Sequence, residues 1–160
     1  MTRREAGSPL SDDDKREVWG GFADREEEYL DEVEHRWGGT EAYADSARRV
    51  AGYGRAEWER INRDNAAIEA RIRELMAAGA DPRGTEAMDV AEASRLHVSR
   101  WFYAMDHGFH VTKSELYVQD ERYRQGIEEN TAPGAAEWLR AAIVANAERA
   151  RRRERAREGG

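Results

Sequence analysis

The chemistry a sequence can support is first asked of its histidines, and this chain has four. His107 and His110 stand three apart beside Asp106, so on a helical turn they share one side and offer two nitrogens and a carboxylate. A zinc site needs a third and usually a fourth ligand, which the neighbouring sequence does not nominate, so no metal is expected there. His97 lies one turn before Trp101 and reads as a satisfied, buried histidine, whereas His35, among Glu32, Glu34 and Arg36, reads as solvated surface. There is no cysteine, which removes a disulfide framework, a thiolate zinc site and a cysteine nucleophile together. With 33 Asp and Glu, carboxylate pairs are too common for any one pair to mark acid and base catalysis. Phosphate loops, nucleophile elbows and metalloprotease histidine pairs are missing, so no catalytic residue, cofactor or enzymatic activity is expected.

The large rings say more. Five Trp, six Tyr and three Phe are many for a chain only 39% hydrophobic, and they fall into groups. Trp19, Phe22, Tyr29, Trp37 and Tyr43 crowd the acidic N-terminal third, which has few aliphatic partners for them. Trp101, Phe102 and Tyr103, with Met105, Phe109 and Tyr117, frame a turn after a long helical pattern. Trp58, Trp101 and Trp138 fit helix cores by spacing. For the N-terminal group and the turn after Tyr103, a core and a ligand cleft both remain open, because bulky ligands are held in aromatic-lined concavities with a few polar groups.

The elements that must position these residues are helices, since apolar residues recur at helical rather than alternating spacing and only three prolines interrupt them. The expected class is all-α. A first helix starts at Ser11 with Asp12, Asp13 and Asp14 in its first turn and ends near Gly20 and Gly21. Asp24 caps a second, on which Tyr29, Val33 and Trp37 share a face before Gly38 and Gly39. Thr40 caps a third, reaching about Tyr53. A fourth spans about Arg55 to Ala78, with Trp58, Ile61, Ile68, Ile72, Leu75 and Met76 as its apolar stripe and Gly79 and Pro82 ending it. Thr85 opens a fifth, apolar on two faces, followed by a turn around Gly108. Helical segments over Lys113–Tyr123 and Gln125–Asn130 come next, and Pro133 at a first helical position begins the last helix, facing inward with Trp138, Leu139, Ala142, Ile143 and Asn146.

At 160 residues the default is one domain, with a flexible stretch at 1–9, the domain over 10–147 and a basic helical tail over 148–160. Charged residues make up 37%, against about 25% in an average globular chain, so the core is thin and some segments are expected to order only with a partner. The net charge of −7 argues against general attraction to nucleic acid or anionic membrane, and no stretch resembles a signal peptide or membrane span, which points to the cytoplasm. Arg149, Arg151, Arg152, Arg153, Arg155 and Arg157 form one local basic patch, read as a solvated helix end whose cations suit the helix dipole.

The order of several short pieces resembles the TipAS family, the antibiotic-recognition domain attached to some MerR-type regulators and also made alone. The pieces are Gly20-Gly21-Phe22, Arg36-Trp37-Gly38, Ala42-Tyr43, Ser46 to Arg49, Trp58, Ser99 to Tyr103, Tyr117-Val118, Asp120 to Tyr123 and Ala132 to Gly134, between about Leu10 and Asn146. The resemblance implies a compact, globin-like helical fold with a deep cleft, whose N-terminal helices are loose when empty and close over a bound thiopeptide. Other relatives sequester albicidin, so the fold alone does not fix the ligand. It further implies that thiopeptide receptors carry a cysteine shortly after the tyrosine of the Trp-aromatic-Tyr motif, where Met105 stands here. Covalent capture by that thiol is therefore impossible and binding should be reversible. The expected ligand contacts are Trp19, Phe22, Tyr29, Trp37, Tyr43, Trp101, Tyr103, Met105, Phe109, His110 and Tyr117. The leading expectation is a standalone protein that sequesters a thiopeptide-like or albicidin-like antibiotic and confers resistance. Such a protein is expected to carry no DNA-binding domain of its own. The alternative is a regulatory effector derived from a MerR-type regulator, acting through a partner protein.

Overall fold

The computed structural model describes the backbone of residues 41–159 and the side chains of 44–159. The first two expected helices lie outside the described residues, with Trp19, Phe22, Tyr29 and Trp37 and the side chain of Tyr43. Among the described residues there are six helices and no strand, as the apolar spacing requires: α1 (Glu41–Ala51), α2 (Arg55–Ala77), α3 (Thr85–Trp101), α4 (His107–Gln119), α5 (Glu121–Asn130) and α6 (Ala135–Gly159).

Local chemistry sets the ends. At the start of α2 the Glu57 carboxylate accepts from the Gly54 N–H at 2.9 Å, half of a capping box. Its other end closes on Gly79, whose φ of +73° is the left-handed conformation a Schellman cap needs. The Ala80 N–H donates to Leu75 O at 2.9 Å and the Gly79 N–H to Met76 O at 3.0 Å.

Three boundaries differ from expectation. The turn expected around Gly108 lies earlier, because Asp106 in extended backbone accepts from the Phe109 N–H at 2.7 Å and starts α4 at His107, taking Gly108 into its first turn. One aspartate likewise moves the next break. Asp120 ends α4 and caps α5 by accepting from the Arg122 N–H at 2.9 Å, so the chain divides there and not between Tyr123 and Gln125. Pro133 is not in the last helix: the Ala135 N–H donates to Ala132 O at 3.0 Å with Gly134 at φ +84°, a Pro-Gly turn of type II that holds α6 back to Ala135.

The described chain falls into two compact units, one of residues 41–65 and 97–104, the other of 66–96 and 105–159. The first has a small aromatic core of Trp58, Ile61 and Trp101 with Val50, Tyr53 and Phe102 against it. The second is built on Ile72, Leu75, Val90, Leu139 and Ile143, spaced by Ala87, Ala91, Ala135 and Ala142. Within it α4 packs along α6 and against α5. Each fully buried Leu or Ile contributes about 1.5–3 kcal/mol, and the alanines let the helices approach closely enough for those side chains to meet.

Candidate functional site

In the first unit the last three carbonyls of α3, which a helix leaves unsatisfied, are taken up by side chains. The Arg49 guanidinium donates to Ser99 O at 2.8 Å and Arg100 O at 3.3 Å, and the Tyr53 hydroxyl donates to Trp101 O at 2.6 Å. This fixes Trp101. Tyr53 meets the rings of Trp58 and Trp101 edge-on, at 5.9 and 5.6 Å between centroids, and Phe102 lies between Trp58 and His97 at 6.2 and 6.4 Å. The Arg100 and Arg60 guanidiniums stand over the Trp101 ring at 4.9 and 5.9 Å, within cation–π range. Trp101 is 8% exposed, yet its indole N–H has no partner among the described residues. Burial lowers the pKa of His97 and raises that of the Tyr103 phenol to about 12, so both are neutral near pH 7.

The second unit holds a polar centre inside an otherwise apolar packing. Glu92 of α3 accepts at one oxygen from Asn146 Nδ2 of α6 and from His107 Nε2 of α4, each at 2.9 Å. Arg95, one turn on, grips the carboxylate with Nε at 3.1 Å and Nη2 at 2.5 Å, and its Nη1 donates to Met105 O at 2.7 Å. Arg149 extends the network, donating to Asn146 Oδ1 at 2.7 Å and to Asp89 Oδ1 at 2.8 Å. Burial alone would raise the pKa of Glu92, but the donors from Arg95, Asn146 and His107 outweigh it and hold the carboxyl at about 2. A carboxylate charged at neutral pH thus ties three helices together and fixes the first turn of α4.

That turn presents the remaining residues of interest. Met105 and His110 are each 2% exposed, and Phe109 is half-buried beside them in sequence. His110 Nε2 has no hydrogen-bond partner among the described residues. Burial, then the charges of Lys113 and Arg95, bring the pKa of His110 down to about 4, so its imidazole is neutral. Ser114, one turn along and also buried, donates to Val111 O of its own helix at 2.7 Å. Tyr117 sits near the far end of α4 against the core and packs on Tyr123 at 6.1 Å.

Of the residues expected to contact a ligand, the second unit therefore gathers Met105, Phe109 and His110 at the start of α4, with Tyr117 two turns on. Trp101 and Tyr103 belong to the first unit. The two buried side-chain nitrogens without a partner among the described residues, on Trp101 and His110, both fall on residues singled out from sequence. His107 and His110 do not share a ligand: one binds Glu92 and the other is enclosed, and among the described residues no three His, Asp or Glu side chains converge as a metal site. The reading of the sequence missed Tyr53, Glu92 and Arg95. Glu92 and Arg95 carried a signal, an opposite-charge pair three apart on a helix otherwise apolar on two faces.

Comparison with known proteins now bears on this arrangement. Residues 29–146 match the family described as the TipAS antibiotic-recognition domain. The chain is 37% identical over 149 residues to the HTH-type transcriptional activator TipA of Streptomyces coelicolor and of Streptomyces lividans, covering 93% of this chain and 58% of each activator. It is 27% identical over 135 residues to the HTH-type transcriptional activator mta of Bacillus subtilis, covering 51% of that protein. The chain thus spans little more than half the length of these relatives. The solved structure of TipAS from Streptomyces lividans in complex with nosiheptide superposes with a TM-score of 0.79 at 38% identity, over 89% of this chain and 98% of that one. On fold, extent and sequence together, this chain is a member of the TipAS antibiotic-recognition domain family.

Proposed function

We propose that this chain captures a bulky, peptide-like antibiotic of the thiopeptide class without forming a bond to it, and that capture protects the host by sequestration. The observation that carries the reading is the likeness to TipAS, which spans nearly the whole of a protein solved with nosiheptide bound. Reversibility is supported by composition: the chain has no cysteine, so no thiol is available to add to an electrophilic ligand. Neutral His110, enclosed in the second unit, supplies one uncharged polar group of the kind that orients a large apolar ligand. The binding is not coupled to catalysis, and nosiheptide should be recovered at unchanged mass after long incubation. Titration of nosiheptide and albicidin against tryptophan fluorescence tests the proposal. Saturable quenching by nosiheptide that reverses on dilution is the expected result, and a flat response to both drugs removes it.

A second reading is favoured by one observation: the matched relatives are transcriptional activators of which this chain covers 51–58%. In that reading the domain is an effector whose bound ligand is signalled to a partner protein. A stable protein partner whose affinity changes with nosiheptide distinguishes it from plain sequestration.

A further inference from the structure

We infer that His110 is a ligand-binding residue whose Nε2–H donates to a neutral acceptor of the captured antibiotic, an amide carbonyl or an azole nitrogen. The inference rests on the capture function proposed above and goes beyond it by naming the atom and the chemistry it recognises.

His110 stands in the first turn of α4 and is 2% exposed, and its Nε2 is without a partner among the described residues. An enclosed polar nitrogen left unpaired is costly, and folds normally satisfy such groups. The fold has donors and acceptors close at hand and spends them elsewhere. Glu92 and Arg95 of α3 bond one another, Glu92 also bonds His107, and Ser114 donates to its own helix. The whole network holds α4 so that the imidazole is fixed while its outer nitrogen stays unused.

The surroundings select the complement. Burial disfavours a proton on the ring, the charges of Lys113, Arg95 and His107 add to that, and the Glu92 carboxylate, which favours one, does not outweigh them. The imidazole stays neutral, and the positive field of Lys113 and Arg95 favours an electron-rich acceptor over a cation. Thiopeptides present uncharged carbonyls and azole nitrogens in a rigid apolar frame, so one aligned N–H orients such a ligand at little entropic cost. Because Nε2 is sealed from solvent, the bond forms only as the ligand displaces what covers it, and association should run below the usual range for a preformed surface.

The test uses the whole chain with nosiheptide as probe. His110→Phe keeps a flat ring without the N–H, and His110→Gln restores an N–H donor at similar reach. The expected result is about tenfold weaker nosiheptide binding for His110→Phe, near-wild-type binding for His110→Gln, and a thermal midpoint for His110→Phe no lower than wild type. A merely structural histidine would lose stability in His110→Phe and leave the affinity of the folded fraction alone. Should His110→Phe fail to fold, imidazole nitrogen NMR of the wild type decides: nosiheptide should shift the His110 Nε2 resonance and slow exchange of its proton. Wild-type affinity in a folded His110→Phe, or an unmoved His110 ring signal at saturating nosiheptide, overturns the inference while the capture function stands. No binding of nosiheptide by the wild type takes both down.

Discussion

Glu92 shows how one charged group is made tolerable inside a helical packing. Its carboxylate has four donor atoms from three residues, drawn from its own helix and from the two helices beside it. Glu92→Gln removes the charge and leaves Arg95 without its counterion, and should destabilise the protein by about 1–3 kcal/mol in chemical denaturation. The pH dependence follows from the direction of each shift. Glu92 is held at about 2, below its ordinary 4.5, so its contribution is complete above pH 4.5 and is lost as pH falls from there toward 2. His110 is lowered from 6.5 to about 4, so the unfolded chain takes up a proton that the fold refuses, and stability declines as pH falls from 6.5 to 4. His97, lowered by burial, adds to that same decline. Thermal midpoints measured from pH 7.5 to 3 should fall in both windows. The upper decline should shrink in His110→Phe and the lower one in Glu92→Gln; a profile unchanged by either substitution contradicts the assignment.

At the scale of elements, two aspartates and two glycines set the boundaries. Asp106→Ala removes the acceptor for the Phe109 N–H and should cost about 1 kcal/mol, with faster amide exchange confined to the first turn of α4. Gly134→Ala forces a side chain into a left-handed turn position at φ +84° and should destabilise by about 1 kcal/mol, although nothing crowds the added Cβ. These caps also explain what the sequence made legible. The spans of α2 and the start of α3 could be read within a residue, because a long apolar stripe and the Gly79 stop agree. The starts of α4, α5 and α6 could not, because His107 to Tyr123 has weak helical amphipathicity and its boundaries depend on which aspartate caps. Pro133 is equally good at a helix start and at the second position of a turn, and Gly134 decided for the turn. Glu92 and Arg95 looked like one more surface pair among many, since nothing in a sequence says that Asn146 and His107 arrive from other helices to share the carboxylate.

For the whole molecule, the charges are unevenly spent. Arg149 is drawn into the packing by Asp89 and Asn146, whereas residues 151–159 are exposed along the end of α6. We propose that the basic tail is dispensable for stability and capture: deleting residues 151–160 should change unfolding free energy by less than about 0.5 kcal/mol and leave the nosiheptide titration curve in place. A larger loss would mean that the arginines act on the domain they leave. The chain family and the helical class were legible from scattered aromatic and glycine pieces, because those types are rarely exchangeable where they cap or pack. Met105 illustrates the limit, since its place in sequence suggested a cleft wall and its near-complete burial is a property of the packed fold. The alanines of the second unit set a different boundary, on how this protein can diverge. Ala87, Ala91, Ala135 and Ala142 are 0% exposed in the core of the second unit, where an added methylene must push packed neighbours aside. Substitution is thereby disfavoured along the seams of α3 and α6 and easier on the outer faces and the tail. A protein built this way can exchange its surface freely over generations, and so acquire new partners or ligands, while the scaffold that aims His110 is copied nearly unchanged.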